Sequence, residues 1–188
     1  MIRLALVAFL AAPAGATDVY IGVSGQAGSP QWTLGLAPFF AEHGGPPVAE
    51  LGTRLRDVVR EDLMASRYFK TMDPAPGADP ADLAVWKRNG AGFVLSSKVS
   101  QEAGLVSLTV RLQDPASGEA ALARYYRQDA RYWRSLAHRV ADDVVKQLTG
   151  KPGIAHTTLG FVNDQSGNKE VYLVDYDGEN LRRGRRGT

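Results

Sequence analysis

Residues 134–163 read RSLAHRVADDVVKQLTGKPGIAHTTLGFVN, a stretch in which a helix ends and a different structure begins. Apolar side chains at three- to four-residue spacing predict one buried helical stripe, made of Trp133, Ala137, Val140, Val144 and Leu148. Gly150 suits a left-handed helix C-cap, and Pro152 cannot continue a helix. The stretch therefore predicts a closing helix, about Tyr132 to Leu148, and a new strand soon after His156.

Upstream of this helix, apolar runs separated by glycine and proline predict alternating strands and helices. We predict strands at Trp32–Phe40, Phe69–Met72, Phe93–Gln101, Leu105–Gln113 and Ala120–Arg127. Helices are predicted at Val48–Ala65, where Arg54, Arg56, Arg60 and Glu61 would form the solvated face, and at Pro80–Asn89. The turn residues Gly104 and 115–118 join the last three strands into an antiparallel meander.

These elements define the fold class as α+β, with a mixed sheet whose antiparallel meander packs against two main helices. We expect this amino-terminal domain to occupy residues 17–155. Before it, Arg3, an apolar run at Leu4–Ala12 and the small residues 14–16 predict a signal peptide at residues 1–16, cleaved after Ala16. The alternative is an apolar first element of a cytosolic domain.

The mature amino terminus alternates apolar and polar residues from Thr17 to Ser24, which predicts a strand. Such a segment can add itself to the open edge of a partner's sheet, or it can be an edge strand of its own domain. The candidate partner-binding residues are Thr17, Asp18, Val19, Tyr20, Ile21, Gly22 and Val23.

Residues 156–188 differ in pattern from the rest of the chain. Two short strands are predicted at Leu159–Val162 and Val171–Val174, with a hairpin loop between them and a turn at Asp175–Gly178. Asp175, Asp177 and Asn180 could supply oxygens to Ca²⁺, but the spacing lacks a ligand position and the distal Glu of an EF-hand loop, so a tight turn is the preferred interpretation. No second copy of this unit indicates an internal repeat.

The net charge of the chain gives no evidence of a nucleic-acid-binding face. The formal net charge is +2, with 22 basic and 20 acidic residues, but four of the basic residues are Arg182, Arg183, Arg185 and Arg186. Without them and Arg3, acidic residues outnumber basic ones, so the basic character belongs to a terminal tail, interpreted as solvated. The chain has no cysteine, which excludes disulfides and thiolate chemistry.

One pair of side chains suggests catalysis. His138 and Asp142 are four residues apart on the closing helix and can face each other, as a base and its orienting carboxylate or as a structural hydrogen bond. No motif places a serine or cysteine nucleophile beside them, and no zinc, phosphate-loop or dinucleotide motif occurs. The sequence predicts no catalytic residue, no metal and no cofactor; a hydrolase using His138 is the weaker hypothesis.

Several segments, in order along the chain, resemble the TolB family of periplasmic Tol-Pal proteins. The segments that carry the resemblance are Asp62–Phe69, Trp86 with Gly90–Leu95, Ala137–Gly150, Ser166–Tyr172 and Asp175–Gly178. The resemblance implies a TolB-like amino-terminal domain, followed at 156–188 by an incomplete blade of a β-propeller with a basic tail. A truncated or frame-disrupted product, or a fragment, is expected, because a half-blade lacks a neighbour to cover its face.

The family likeness also implies a function. It implies a periplasmic, non-catalytic adaptor that supports outer-membrane integrity and cell division through protein contacts. Residues Thr17–Val23 would contact a TolA-like inner-membrane protein, whereas binding of a Pal-type lipoprotein is doubtful because that surface lies on the propeller. The alternative is a stand-alone binding module for another envelope protein.

Overall fold

The computed structural model describes residues 31–165 and 167–184. The elements in these ranges are β1 (Trp32–His43), α1 (Gly45–Ala65), β2 (Phe69–Met72), α2 (Leu83–Arg88), β3 (Phe93–Glu102), β4 (Leu105–Gln113), β5 (Ala120–Asp129), α3 (Trp133–Thr149), β6 (Thr158–Asn163), β7 (Glu170–Asp175) and β8 (Arg182–Arg183). The predicted signal peptide at 1–16 and the predicted strand and partner-binding segment at Thr17–Ser24 lie outside the described residues.

The first five strands form a mixed sheet in the order β2-β1-β3-β4-β5. Strand β1 runs parallel to both β2 and β3, and parallel neighbours require crossover connections, which α1 and α2 provide. Strands β3, β4 and β5 pair antiparallel in sequence order. The predicted α+β class, mixed sheet and meander are therefore confirmed.

Helices α1 and α3 cover one face of this sheet and enclose the main core. Their buried positions recur at helical spacing, so each helix turns one apolar stripe inward. The stripe of α3 is confirmed: Ala137, Val140 and Val144 are fully buried, and Trp133 and Leu148 pack at its margins. This helix pair places the charged residues near the α1 C-terminus beside the middle of α3.

On the opposite face of the sheet, α2 packs over part of β1 and β3. Trp86 is buried there against Ala37, Ala91 and Val94, and its indole Nε1 donates to the Pro80 carbonyl at 2.9 Å. Helix α2 is shorter than the predicted Pro80–Asn89, because the Asp82 side chain accepts from the Ala84 N–H and so caps the helix there.

Helix α1 begins earlier than predicted. Gly45 opens it, and Pro46 and Pro47 lie in the first turn. The N–H groups of the first turn have no intrahelical acceptor, so the prolines cost the helix no hydrogen bond. The prediction that these prolines precede the helix is therefore wrong by three residues at this end.

The prediction that Arg56 lies on the solvated face of α1 is wrong. Its guanidinium donates through Nη2 to the Leu36 carbonyl at 2.7 Å and through Nε to the Ala37 carbonyl at 3.2 Å. The pairing of β1 with β3 shifts register just after Leu36, a β-bulge that frees these carbonyls and accommodates Pro38 in an inner strand. Arg56 and Arg60 also both pair with Asp73.

The remaining strands form a separate antiparallel sheet of order β6-β7-β8 within the described residues. The two predicted strands are confirmed, each slightly longer than expected. Arg182 and Arg183 form β8 and pair with Leu173 and Tyr172, so this part of the tail is sheet, while both side chains are solvent-exposed as predicted. Arg185 and Arg186 lie outside the described residues.

Candidate functional site

The turn between β7 and β8 docks on helix α3 through one carboxylate. Asp177 Oδ2 accepts hydrogen bonds from Arg134, at 2.6 Å from Nε and 2.6 Å from Nη2. The turn itself is confirmed, since the Gly178 N–H donates to the Asp175 carbonyl at 2.9 Å. The sequence pattern favoured a turn at Asp177 over a Ca²⁺ site, and in the structure its carboxylate also joins the second sheet to the α+β domain.

His138 lies between two carboxylates that come from different parts of the fold. Its Nδ1 is 2.7 Å from Asp62 Oδ2 on α1, and its Nε2 is 3.3 Å from Asp177 Oδ2. The side chains of His138 and Asp62 are each 3% exposed, so this contact is closed to bulk water. The prediction that His138 faces Asp142 is wrong, because its partner within the α+β domain is Asp62.

The charges in this cluster favour the protonated imidazole. Burial opposes the charge on His138, but the hydrogen bond with Asp62 and the negative charges of Asp62 and Asp177 outweigh burial and raise the pKa of His138. Burial also opposes the charge on Asp177, yet the Glu179 N–H and Arg134 outweigh it and lower the pKa of Asp177. Both shifts favour a charged pair, a carboxylate at Asp177 beside an imidazolium at His138.

Asp142 holds the linker that leads from α3 to the second sheet. Its two carboxylate oxygens accept from the backbone N–H groups of Ala155, at 2.8 Å, and His156, at 3.0 Å. The neighbouring Asp143 contacts β5 of the meander instead: it accepts from the Tyr126 hydroxyl at 2.6 Å and pairs with Arg124 at 2.6 Å. The two adjacent carboxylates thus point to different structural partners.

An open cleft of about 640 Å³ lies between the start of α3 and the second sheet. Ser135 and His156 meet on its wall, with Oγ and Nε2 2.8 Å apart, a pair that the sequence analysis did not identify. Among residues 31–165 and 167–184, no carboxylate side chain bonds to the His156 ring, so the pair lacks the third group of a catalytic triad. The ring of His138 lies against carboxylates, and no serine among the same residues bonds to it.

The residues considered for cation binding do not converge. Asn180 Nδ2 donates to Asp175 Oδ2 at 2.7 Å, whereas Asp177 turns away to Arg134. In the described part of the chain, no three acidic or histidine side chains are placed to hold a metal ion. None of the described helices combines the length and the apolar run needed to cross a bilayer.

The fold and the junction define a class of protein: an α+β domain whose closing helix carries a docked antiparallel sheet. A model of the TolB amino-terminal domain matches residues 20–121, more than half of the 188 residues. The chain belongs to the TolB amino-terminal domain family.

Relatives that are full Tol-Pal proteins support this assignment. The chain is 31% identical over 147 residues to the Tol-Pal system protein TolB of Geobacter sulfurreducens, covering 74% of this chain and 34% of the relative. It is also 31% identical over 162 residues to TolB of Anaeromyxobacter dehalogenans, covering 81% of this chain and 37% of that protein. The chain thus spans about a third of the length of these relatives.

A solved structure has the same fold. The crystal structure of TolB from Acinetobacter baumannii superposes with a TM-score of 0.64 at 19% identity, covering 82% of this chain and 38% of that chain. The predicted family is therefore confirmed by both sequence and fold.

Proposed function

We propose that this chain acts as a periplasmic, non-catalytic adaptor in the Tol-Pal system, supporting outer-membrane integrity and cell division. The observation that carries the proposal is the family match over residues 20–121, together with relatives named as Tol-Pal system proteins. The junction adds support, because its His138 and Asp177 side chains contact each other and further protein groups, which is typical of a structural role. The β6–β8 sheet is proposed to be part of a propeller blade.

The proposed partner surface is the mature amino terminus, Thr17–Val23, which would pair with a TolA-like inner-membrane protein. The proposal includes export and cleavage after Ala16, because the Arg3 and apolar-run pattern is that of a secretory signal. In this arrangement the α+β domain carries the segment that pairs with the partner.

The test measures binding of the mature chain, residues 17–188, to the purified periplasmic part of TolA by titration calorimetry. The matched variant replaces Val19 and Ile21 with Asp, which keeps the length of the segment but opposes strand addition. We expect binding by the unchanged chain and at least tenfold weaker binding by the variant. Equal binding by both forms would overturn the role of this segment.

A pull-down from the cell envelope distinguishes the remaining hypothesis. Recovery of TolA supports the adaptor function, and recovery of Pal would extend it to the lipoprotein. Recovery of an unrelated envelope protein without TolA would replace the proposal with the stand-alone binding module.

A further inference from the structure

At the junction between the α+β domain and the β6–β8 sheet, the contacts of His138 depend on its protonation state. Both ring nitrogens of His138 face carboxylate oxygens, Nδ1 towards Asp62 and Nε2 towards Asp177. A neutral imidazole has one N–H and one lone pair, so it can donate to only one of these acceptors and must turn its lone pair towards the other. Only the imidazolium turns an N–H towards both carboxylates, as a hydrogen bond to Asp62 and as an ion pair with Asp177, because the buried Nε2 makes no hydrogen bond of its own within the described part of the chain.

The two carboxylates belong to different parts of the fold. Asp62 lies on α1 within the domain core, whereas Asp177 lies in the turn between β7 and β8. The contact with Asp62 is a short hydrogen bond of 2.7 Å, and the contact with Asp177 is longer, at 3.3 Å. Docking of the second sheet therefore changes the free energy of binding the proton at Nε2.

We propose that docking of the β6–β8 sheet on the α+β domain is linked to protonation of His138, which makes the junction a pH-responsive latch. The docked sheet supplies the second carboxylate, so docking favours proton uptake, and proton uptake favours docking to the same extent. Each tenfold preference of the sheet for the imidazolium form appears as one unit in the pKa of His138.

Every charged group around the ring enters this linkage. On α1, Asp62 attracts the imidazolium; on α3, Arg134 repels it, and Asp142 adds negative charge near Asp62; from the β7–β8 turn, Asp177 attracts it. His156 lies beside Ser135 on the cleft wall, so its ring signals are assigned separately from those of His138.

The sign of the pH effect follows from these contacts. Asp62 and Asp177 together raise the pKa of His138 above its ordinary value, so the contribution of the latch is complete only where the ring also carries its proton in the undocked chain. The contribution is lost as the pH rises through the higher, docked-state pKa. Because the pKa of Asp177 is lowered, its carboxylate does not limit docking until the pH falls below its ordinary value of 3.8.

The test is an NMR titration of the histidine ring signals in the full chain and in two variants that each remove one negative charge from the second sheet. Asp177→Asn removes the proposed carboxylate but retains an oxygen that can accept from the Glu179 N–H, so the turn is preserved. Asp164→Asn, in the β6–β7 loop, is the matched control. We expect the pKa of His138 to fall by about one unit in Asp177→Asn and by much less in Asp164→Asn.

Amide hydrogen exchange follows the linker that leads to the sheet. The Ala155 and His156 amides bond to Asp142 on α3, so their protection reports whether the linker next to the sheet is held. We expect about tenfold lower protection above the His138 pKa than below it, after correction for intrinsic exchange, and no such step in His138→Gln. Equal His138 pKa values in the two Asp→Asn variants, or protection that does not change with pH in the unchanged chain, would overturn the proposal.

Discussion

The backbone of Gly153 passes directly over the side chain of Asp142. A Cβ atom at Gly153 would lie 2.6 Å from Asp142 Cα and 2.7 Å from Asp142 Cγ, and closer still to Oδ1. Asp142 is meanwhile fixed by the two linker amides that it accepts from. The linker therefore follows α3 at a distance that only glycine permits.

Gly153→Ala is expected to lower the free energy of unfolding by about 1–3 kcal/mol, because the clash with a helix Cα cannot be relieved by rotating a side chain. The measurement is urea denaturation followed by circular dichroism. Gly160→Ala is the matched control, since its nearest neighbour is the flexible end of Leu173 at an ordinary 3.5 Å. Equal losses in both variants would show that the linker is not closely packed.

Arg56→Met is expected to destabilise the chain by about 1–3 kcal/mol, because it leaves the Leu36 and Ala37 carbonyls at the β1 bulge without their donor. Arg60→Met is the matched control: it removes the same charge from the same helix but loses only the contact with Asp73, which is 56% exposed. We expect its effect to be below about 1 kcal/mol. Thermal and urea unfolding measure both, and a larger effect for Arg60 would contradict the role assigned to the bulge.

Much of the fold follows from local sequence pattern, and the meander is the clearest case. Alternation at Leu105–Gln113 and Gly104 at the preceding turn specify adjacent antiparallel strands, and the structure has them. The position of β1 between β2 and β3 is different, because parallel pairing across α1 and α2 depends on contacts far apart in sequence. No local pattern in Trp32–Phe40 encodes those neighbours.

The candidate site shows the same limit at the level of single residues. Helical spacing placed His138 beside Asp142, but spacing specifies only which side of α3 a residue occupies. The packing of α1 against α3 decides the partner, and it presents Asp62 76 positions earlier in the chain. Asp177 satisfied a turn pattern completely, so nothing local indicated that its carboxylate also reaches Arg134.

Tyr126→Phe is expected to cost about 1–2 kcal/mol, because the buried hydroxyl donates to the charged Asp143 that joins β5 to α3. The neighbouring Tyr125 supplies the control: its hydroxyl bonds to Ser107 on an exposed surface, and Tyr125→Phe should change the unfolding free energy by less than about 0.5 kcal/mol. Chemical denaturation of both variants is the measurement. Indistinguishable losses would mean that the Tyr126–Asp143 contact contributes little to holding α3 on the sheet.

Asp62→Ala is expected to destabilise the chain by about 3–5 kcal/mol, because it leaves the buried imidazole of His138 without its partner in the domain core. The loss should be larger at pH 5.5 than at pH 9. In the unchanged chain, the raised pKa of His138 makes its contribution to the free energy of unfolding complete below pH 6.5 and smaller as the pH rises. Without Asp62, burial opposes protonation of His138, so acid favours the unfolded state.

Asp57→Ala, at an exposed position of the same helix, is the control and should show neither the large loss nor its pH dependence. Urea denaturation at the two pH values measures both effects, and a loss that is the same at pH 5.5 and pH 9 would mean that His138 does not carry a proton in the folded chain.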